Sequence, residues 1–218
     1  MIEGVIFDMD GLMIDTEYLT YKFFRRHAAE MGYDLTLDIF KPSVGRRTPD
    51  SKIYYKSVFG QDFDFDLLRQ KNLDDLHKYM KENGVPKKKG IVELLEFLKK
   101  NKIKCAVASS TSKPVAEKCL ENAGLLDYFE AGIYGNMVEN GKPAPDIFIA
   151  AAAALGIPCE RCLCLEDSYN GIRAGHSAKM VTIMVPDMLP PTKEMQEKCY
   201  AIVPDLLKVI DIIRELNA

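Results

Sequence analysis

Two aspartates one residue apart, Asp8 and Asp10, follow the apolar run Gly4-Val5-Ile6-Phe7 and precede Gly11. A strand rises about 3.3 Å per residue and turns alternate side chains to one face, so the pair could flank a reacting group at a separation of about 6 to 7 Å. One carboxylate could attack while the other, holding a proton, protonates the leaving oxygen. A neighbouring carboxylate raises the pKa of that second acid, as a donor working near neutrality requires. Taken alone, the pair fits an Asp-Gly turn with a helix cap equally well.

Three more polar runs stand at or after the ends of apolar ones: Ser109-Ser110-Thr111, Gly141-Lys142-Pro143 in the loop after the third strand, and Glu166-Asp167-Ser168. Hydroxyls and free backbone N–H groups at a helix start suit phosphate oxygens. A lysine fixed between glycine and proline can neutralise charge on a transferring phosphoryl group. Adjacent acids at the end of an apolar strand repel each other without a cation, and magnesium favours a few carboxylates with water and phosphate oxygens. Each run alone has a plainer reading as a cap or turn. Together they are equipment for handling phosphate with a metal.

Competing motifs fail. Gly135 to Lys142 resembles a phosphate-binding loop, but five residues separate its glycines where four are needed, and Pro143 stands where Ser or Thr belongs. There is no Gly-x-Gly-x-x-Gly after a strand and no Gly-x-Ser-x-Gly. Cys159 and Cys162 have the spacing of half a zinc site, yet no second half accompanies them. Cys162 and Cys164 alternate with Leu163 and Leu165, as small apolar residues do in a buried strand.

Strands expected at 4–7, 103–108, 131–134, 162–165 and 181–185 alternate with helices at 91–98, 115–123, 146–155, 171–176 and 206–216. That order predicts right-handed βαβ units, an α/β fold with a Rossmann-like, doubly wound parallel sheet. Residues 15–81 instead show helical spacing broken at Pro42, Gly45, Pro49 and Gly60. The predicted division is a catalytic core of 1–14 and 82–218 with an all-helical cap of 15–81 inserted after the first strand. Function in such a sheet collects at the carboxyl ends of the strands.

Of the 218 residues, 47% are hydrophobic, enough for a substantial core. With 29 basic against 32 acidic residues there is no cationic field to hold nucleic acid. No apolar stretch approaches a membrane span and no basic, apolar leader opens the chain, so the expectation is a cytoplasmic monomer.

Four runs in this order resemble the motifs of the haloacid dehalogenase-like superfamily: Asp8-Met9-Asp10-Gly11-Leu12-Met13-Ile14-Asp15-Thr16, then Ser109, then Gly141-Lys142-Pro143-Ala144-Pro145-Asp146-Ile147-Phe148, then Glu166-Asp167-Ser168. The likeness covers almost the whole chain and is greatest to the β-phosphoglucomutase and sugar-phosphatase subgroup. It implies that Asp8 forms an aspartyl-phosphate, that Asp10 is the general acid and base, and that Ser109 and Lys142 hold the phosphoryl oxygens. It implies Mg2+ on Asp8, the Asp10 carbonyl, Asp167 and Glu166. Thr16, Ser110, Arg46 and Lys71 are the expected substrate contacts, Lys71 matching the family's cap lysine; Arg47 is read as a solvated surface charge. Mutases of the subgroup carry a histidine where this chain has Thr20, place their cap arginine differently from Arg46 and Arg47, and use serine and asparagine where Thr111 and Lys113 stand. The reading is therefore a phosphatase of a small phosphorylated metabolite, with β-phosphoglucomutase-type transfer as the alternative.

Overall fold

The computed structural model describes residues 1–218. Six parallel strands form one sheet: β1 (Gly4–Phe7), β2 (Lys104–Ser109), β3 (Ala131–Tyr134), β4 (Cys162–Glu166), β5 (Val181–Met184) and β6 (Ala201–Ile202), in the order β3-β2-β1-β4-β5-β6. The five expected strands are present within a residue or so of their predicted bounds. The sixth was not foreseen: two half-buried residues cannot display an alternation. Alternation sorts the strands between two faces. Val5, Phe7, Val107, Leu163 and Leu165 enter a large cluster with α5 (Ile91–Lys100), α6 (Lys113–Asn122) and α10 (Leu207–Asn217). Ile6, Ala106, Ala108, Cys162 and Cys164 face α7 (Asp146–Leu155) and α8 (Tyr169–Ser177). The second face is built of small residues, and α8 comes so close that a Cβ on Gly175 would stand 2.6 Å from Cys164 Sγ. All six cysteines are unpaired, and Cys162 and Cys164 serve here as small apolar residues.

The inserted unit holds α1 (Glu17–Glu30), α2 (Leu37–Phe40), α3 (Thr48–Phe59) and α4 (Phe65–Asn83). An aromatic cluster of Phe24, Phe40, Tyr55, Phe63 and Phe65 gives it a core of its own, with Tyr55 stacked on Phe65 at 5.5 Å. Both connections to the sheet domain run side by side. Ile14 bridges Lys87, Asp15 N donates to Pro86 O at 2.8 Å, and Lys88 N to Met13 O at 3.0 Å. A short helix, α9 (Lys193–Lys198), completes the chain's elements and was also unforeseen, since only Met195 of its six residues is buried.

Candidate active site

The order of the sheet reverses direction between β1 and β4, and in open α/β sheets such a point carries the ligand crevice. Asp8 leaves β1 there, its N–H still bonded to Leu165 O at 3.0 Å. Lys142 reaches in from the loop between β3 and α7 with no side-chain exposure, and donates to Asp8 Oδ1, to Glu166 Oε1 at 2.6 Å and to Ala108 O at 2.9 Å. Burial alone would lower the lysine pKa, but the carboxylates of Asp8 and Glu166 outweigh it and hold the ammonium charged.

Asp8, Glu166 and Asp167 are all buried, with ligand-type oxygens within 4.8 Å of one another. Burial raises the Asp8 carboxyl, Glu166 and Asp10 add to this, and Lys142 opposes it. Burial, with Glu166 and Asp8, also raises Asp167. With all three carboxylates ionised against one ammonium the group would carry a double negative charge out of water, which a divalent cation would balance. Asp167 Oδ2 is buried without any hydrogen-bond partner, an oxygen ready for such an ion. Gly11 makes room for that carboxylate: its φ is +80°, and a Cβ there would stand 2.4 Å from Asp167 Oδ2. These residues fit magnesium.

Glu166, expected at the metal directly or through water, is one of these three acids and is also held by protein donors. Its Oε1 is held by Lys142, and Oε2 accepts from Asp167 N at 3.1 Å, Ser168 N at 3.0 Å and Ser168 Oγ at 2.9 Å. Its position anchors Lys142 and shapes the turn into α8, while Asp167 keeps the free oxygen. A Cβ on Gly171 would lie 1.8 Å from the Glu166 carboxyl, so only glycine leaves the acid its place.

Asp10 accepts from Thr111 Oγ1 at 2.9 Å and from Thr16 Oγ1 at 3.2 Å. Burial raises its pKa while these two bonds lower it. Thr16, expected to touch substrate, thus grips Asp10 from the wall of the cavity, and Thr111 was missed as its second grip. Ser109 Oγ accepts from Thr111 N at 3.1 Å, leaving its own proton to donate. Ser110, expected on the substrate, lines the cavity, and its hydroxyl donates to Gly45 O of the cap at 2.8 Å.

A cavity of about 180 Å³ lies between cap and sheet, walled by Asp8 and Asp10 on one side and Arg46, Arg69, Asn72 and His77 on the other. Arg46 lines it, its guanidinium over Tyr54 at 5.1 Å. Lys71 does not. It pairs with Glu30 at 2.9 Å, because α4 turns Arg69, Asn72, Leu73 and Leu76 inward and position 71 falls off that stripe. Arg69, half-buried and without a carboxylate within ion-pair distance, is the α4 cation on the cavity, and burial lowers its pKa.

A family model of haloacid dehalogenase-like hydrolases matches residues 5–185, and the chain belongs to that family. Within it the chain is 33% identical over 187 residues to the phosphorylated carbohydrates phosphatase of Thermotoga maritima, covering 81% of this chain and 82% of that one. It is 36% identical over 191 residues to the chloroplastic protein Suppressor of Quenching 1 of Arabidopsis thaliana, covering 84% of this chain but 18% of that much longer one. The crystal structure of β-phosphoglucomutase from Clostridium difficile superposes with a TM-score of 0.80 at 26% identity, covering 99% of this chain and 96% of the other.

Proposed function

We propose that the chain is a magnesium-dependent phosphatase of a small phosphorylated metabolite, in particular a sugar phosphate, working through an aspartyl-phosphate on Asp8. The observation that carries the reading is the buried group of Asp8, Glu166 and Asp167 around the Lys142 ammonium, with Asp167 Oδ2 unpartnered. Lys142 fixes Asp8 by Oδ1, and Oδ2, which accepts no bond, is free to attack phosphorus. As the new O–P bond forms, the ester O–P bond breaks, and protonated Asp10 gives its proton to the leaving oxygen. Asp10, now a base, takes a proton from water as that water attacks the phosphoryl group, returning Asp8 and releasing phosphate. Ser109 holds a phosphoryl oxygen, and the Lys142 ammonium, its three N–H groups on Asp8, Glu166 and Ala108, offsets the charge beside it. Magnesium on Asp8 and Asp167, with the Asp10 carbonyl and Glu166 at the same edge, would offset the charge gathering on those oxygens.

The likeness to β-phosphoglucomutase supports a second reading, in which a sugar hydroxyl replaces water. Thr20 lines the cavity where those mutases carry histidine, and this favours water. A panel of phosphorylated metabolites, assayed with magnesium and with chelator, tests the reading. Metal-dependent release of phosphate is expected. Conversion of glucose 1-phosphate to glucose 6-phosphate without free phosphate would decide for the mutase. The reading places the enzyme in the cytoplasm as a monomer; six unpaired cysteines suit a reducing compartment.

A further inference from the structure

We propose that Arg47 is a positioning residue that latches the cap to the Lys142 loop, so that closure of the cap sets the lysine in place. The role given to Lys142 rests on the phosphatase reading above; the latch rests on contacts alone. Arg47 precedes α3 and its side chain is 19% exposed, unlike the solvated charge expected from the sequence. Nε donates to Asp50 Oδ2 at 3.0 Å within the cap. Nη1 crosses to the sheet domain and donates to Val138 O at 3.2 Å and Glu139 O at 2.9 Å. Neither carbonyl receives a backbone N–H, so an open cap would leave both without a protein donor.

The arginine stem also lies across Gly141, the residue before Lys142. A Cβ at Gly141 would meet Arg47 Nε at 2.4 Å, Cδ at 2.7 Å and Cγ at 2.9 Å, and these are its three nearest atoms. The same stem lies 3.2 Å from a Cβ on Gly135, where the loop begins. Gly141 thus makes room for this cap side chain, whereas at Gly135 the Ser110 carbonyl, 2.1 Å from a Cβ, is the nearer neighbour. Arg47 is absent from the cavity wall and Asp50 neutralises it, so it does not serve as a substrate anion site. Its neighbour Gly45 accepts from Ser110, and a Cβ on Gly45 would meet Ser168 Oγ at 2.5 Å. Residues 45–47 therefore touch the segments that follow β2, β3 and β4. Closure and alignment of the phosphate-binding groups become one event.

A double-mutant cycle with amide hydrogen exchange tests this. In Arg47→Ala, turnover of p-nitrophenyl phosphate should fall by about ten- to a hundredfold with little change in KM, as expected for losing two hydrogen bonds that orient a charged group. Exchange should quicken at 138–142 and stay unchanged in β1, β2 and β4, which also shows that the variant is folded. Gly141→Ala should reproduce the defect, yet add nothing in the Arg47→Ala background, because the three atoms its Cβ would meet most closely are then gone. Arg47→Lys should recover part of the turnover. Wild-type turnover and exchange in Arg47→Ala, or additive losses in the double variant, would overturn the latch. A wild-type chain that hydrolyses no phosphate ester would defeat the phosphatase reading, while the exchange measurement would still decide the latch.

Discussion

At the scale of single residues, the site is defined by what each polar atom lacks or holds. Asp167 keeps a buried oxygen without a partner, whereas both Glu166 oxygens are filled by protein donors. Glu166 therefore works through Lys142, and Gly171 is what admits it. Gly171→Ala would drive a methyl into the carboxyl, so we expect destabilisation of about 1–3 kcal/mol from overpacking. Turnover should be lost with it, because Lys142 loses its anchor; thermal unfolding and steady-state kinetics read the two effects separately. The acids and the serine could be singled out from the sequence because they directly follow apolar runs, and the lysine because it stands between Gly141 and Pro143. It could not show that Thr111 and Thr16 share Asp10, because that meeting joins positions 101 and 6 residues distant.

At the scale of elements, the cap was legible as helices but not in phase. Lys71 matched a family position, yet α4 is rotated so that Arg69 faces the cavity and Lys71 faces Glu30. One residue turns a helical side chain by about 100°, and no motif spacing fixes that rotation when the apolar stripe is weak. Arg69→Ala should raise KM for the best phosphorylated substrate by roughly tenfold, the worth of one charge-assisted hydrogen bond, while Lys71→Ala leaves KM near wild type. Ion pairs of Arg26, His27, Glu30, Lys71 and Asp75 also join α1 to α4. Hydrogen bonds from His27 and Lys71 hold Glu30 down to about 2. Burial would raise Asp75, but His27 and Arg26 outweigh it and lower the group. Carboxylates depressed in the folded state stabilise it above their ordinary value of about 4 and cease to do so as pH falls through the depressed one. Near-ultraviolet circular dichroism, dominated by the tyrosine-rich cap, should therefore weaken between about pH 4 and pH 2, and His27→Ala should flatten that dependence.

At the scale of the whole molecule, sequence order alone gave the parallel sheet and the edge that carries the candidate site, because five strands alternating with helices define both. The short β6 and α9 were beyond its reach, too brief or too polar to show a period. The sheet sets three acids and one ammonium in a dry edge, so metal and fold should be linked. Magnesium at a hundred times its dissociation constant should stabilise the protein by about 2.7 kcal/mol. Because burial raises the Asp167 pKa, its ionised form destabilises the metal-free fold as pH rises through that value. Asp167→Asn should then raise the melting temperature without metal and abolish the magnesium-dependent increase. A magnesium response equal to wild type in that variant would remove Asp167 from the metal site.

The whole mechanism depends on Asp8 as the residue that takes the phosphoryl group. Turnover of a hydrolysed substrate, quenched in acid and followed by peptide mass spectrometry, tests this most directly. The account predicts a phosphoryl adduct on Asp8 that builds up during turnover with magnesium, and is missing with chelator and in Asp8→Asn. Steady release of phosphate by an Asp8→Asn variant, or an adduct on any other residue, would contradict it.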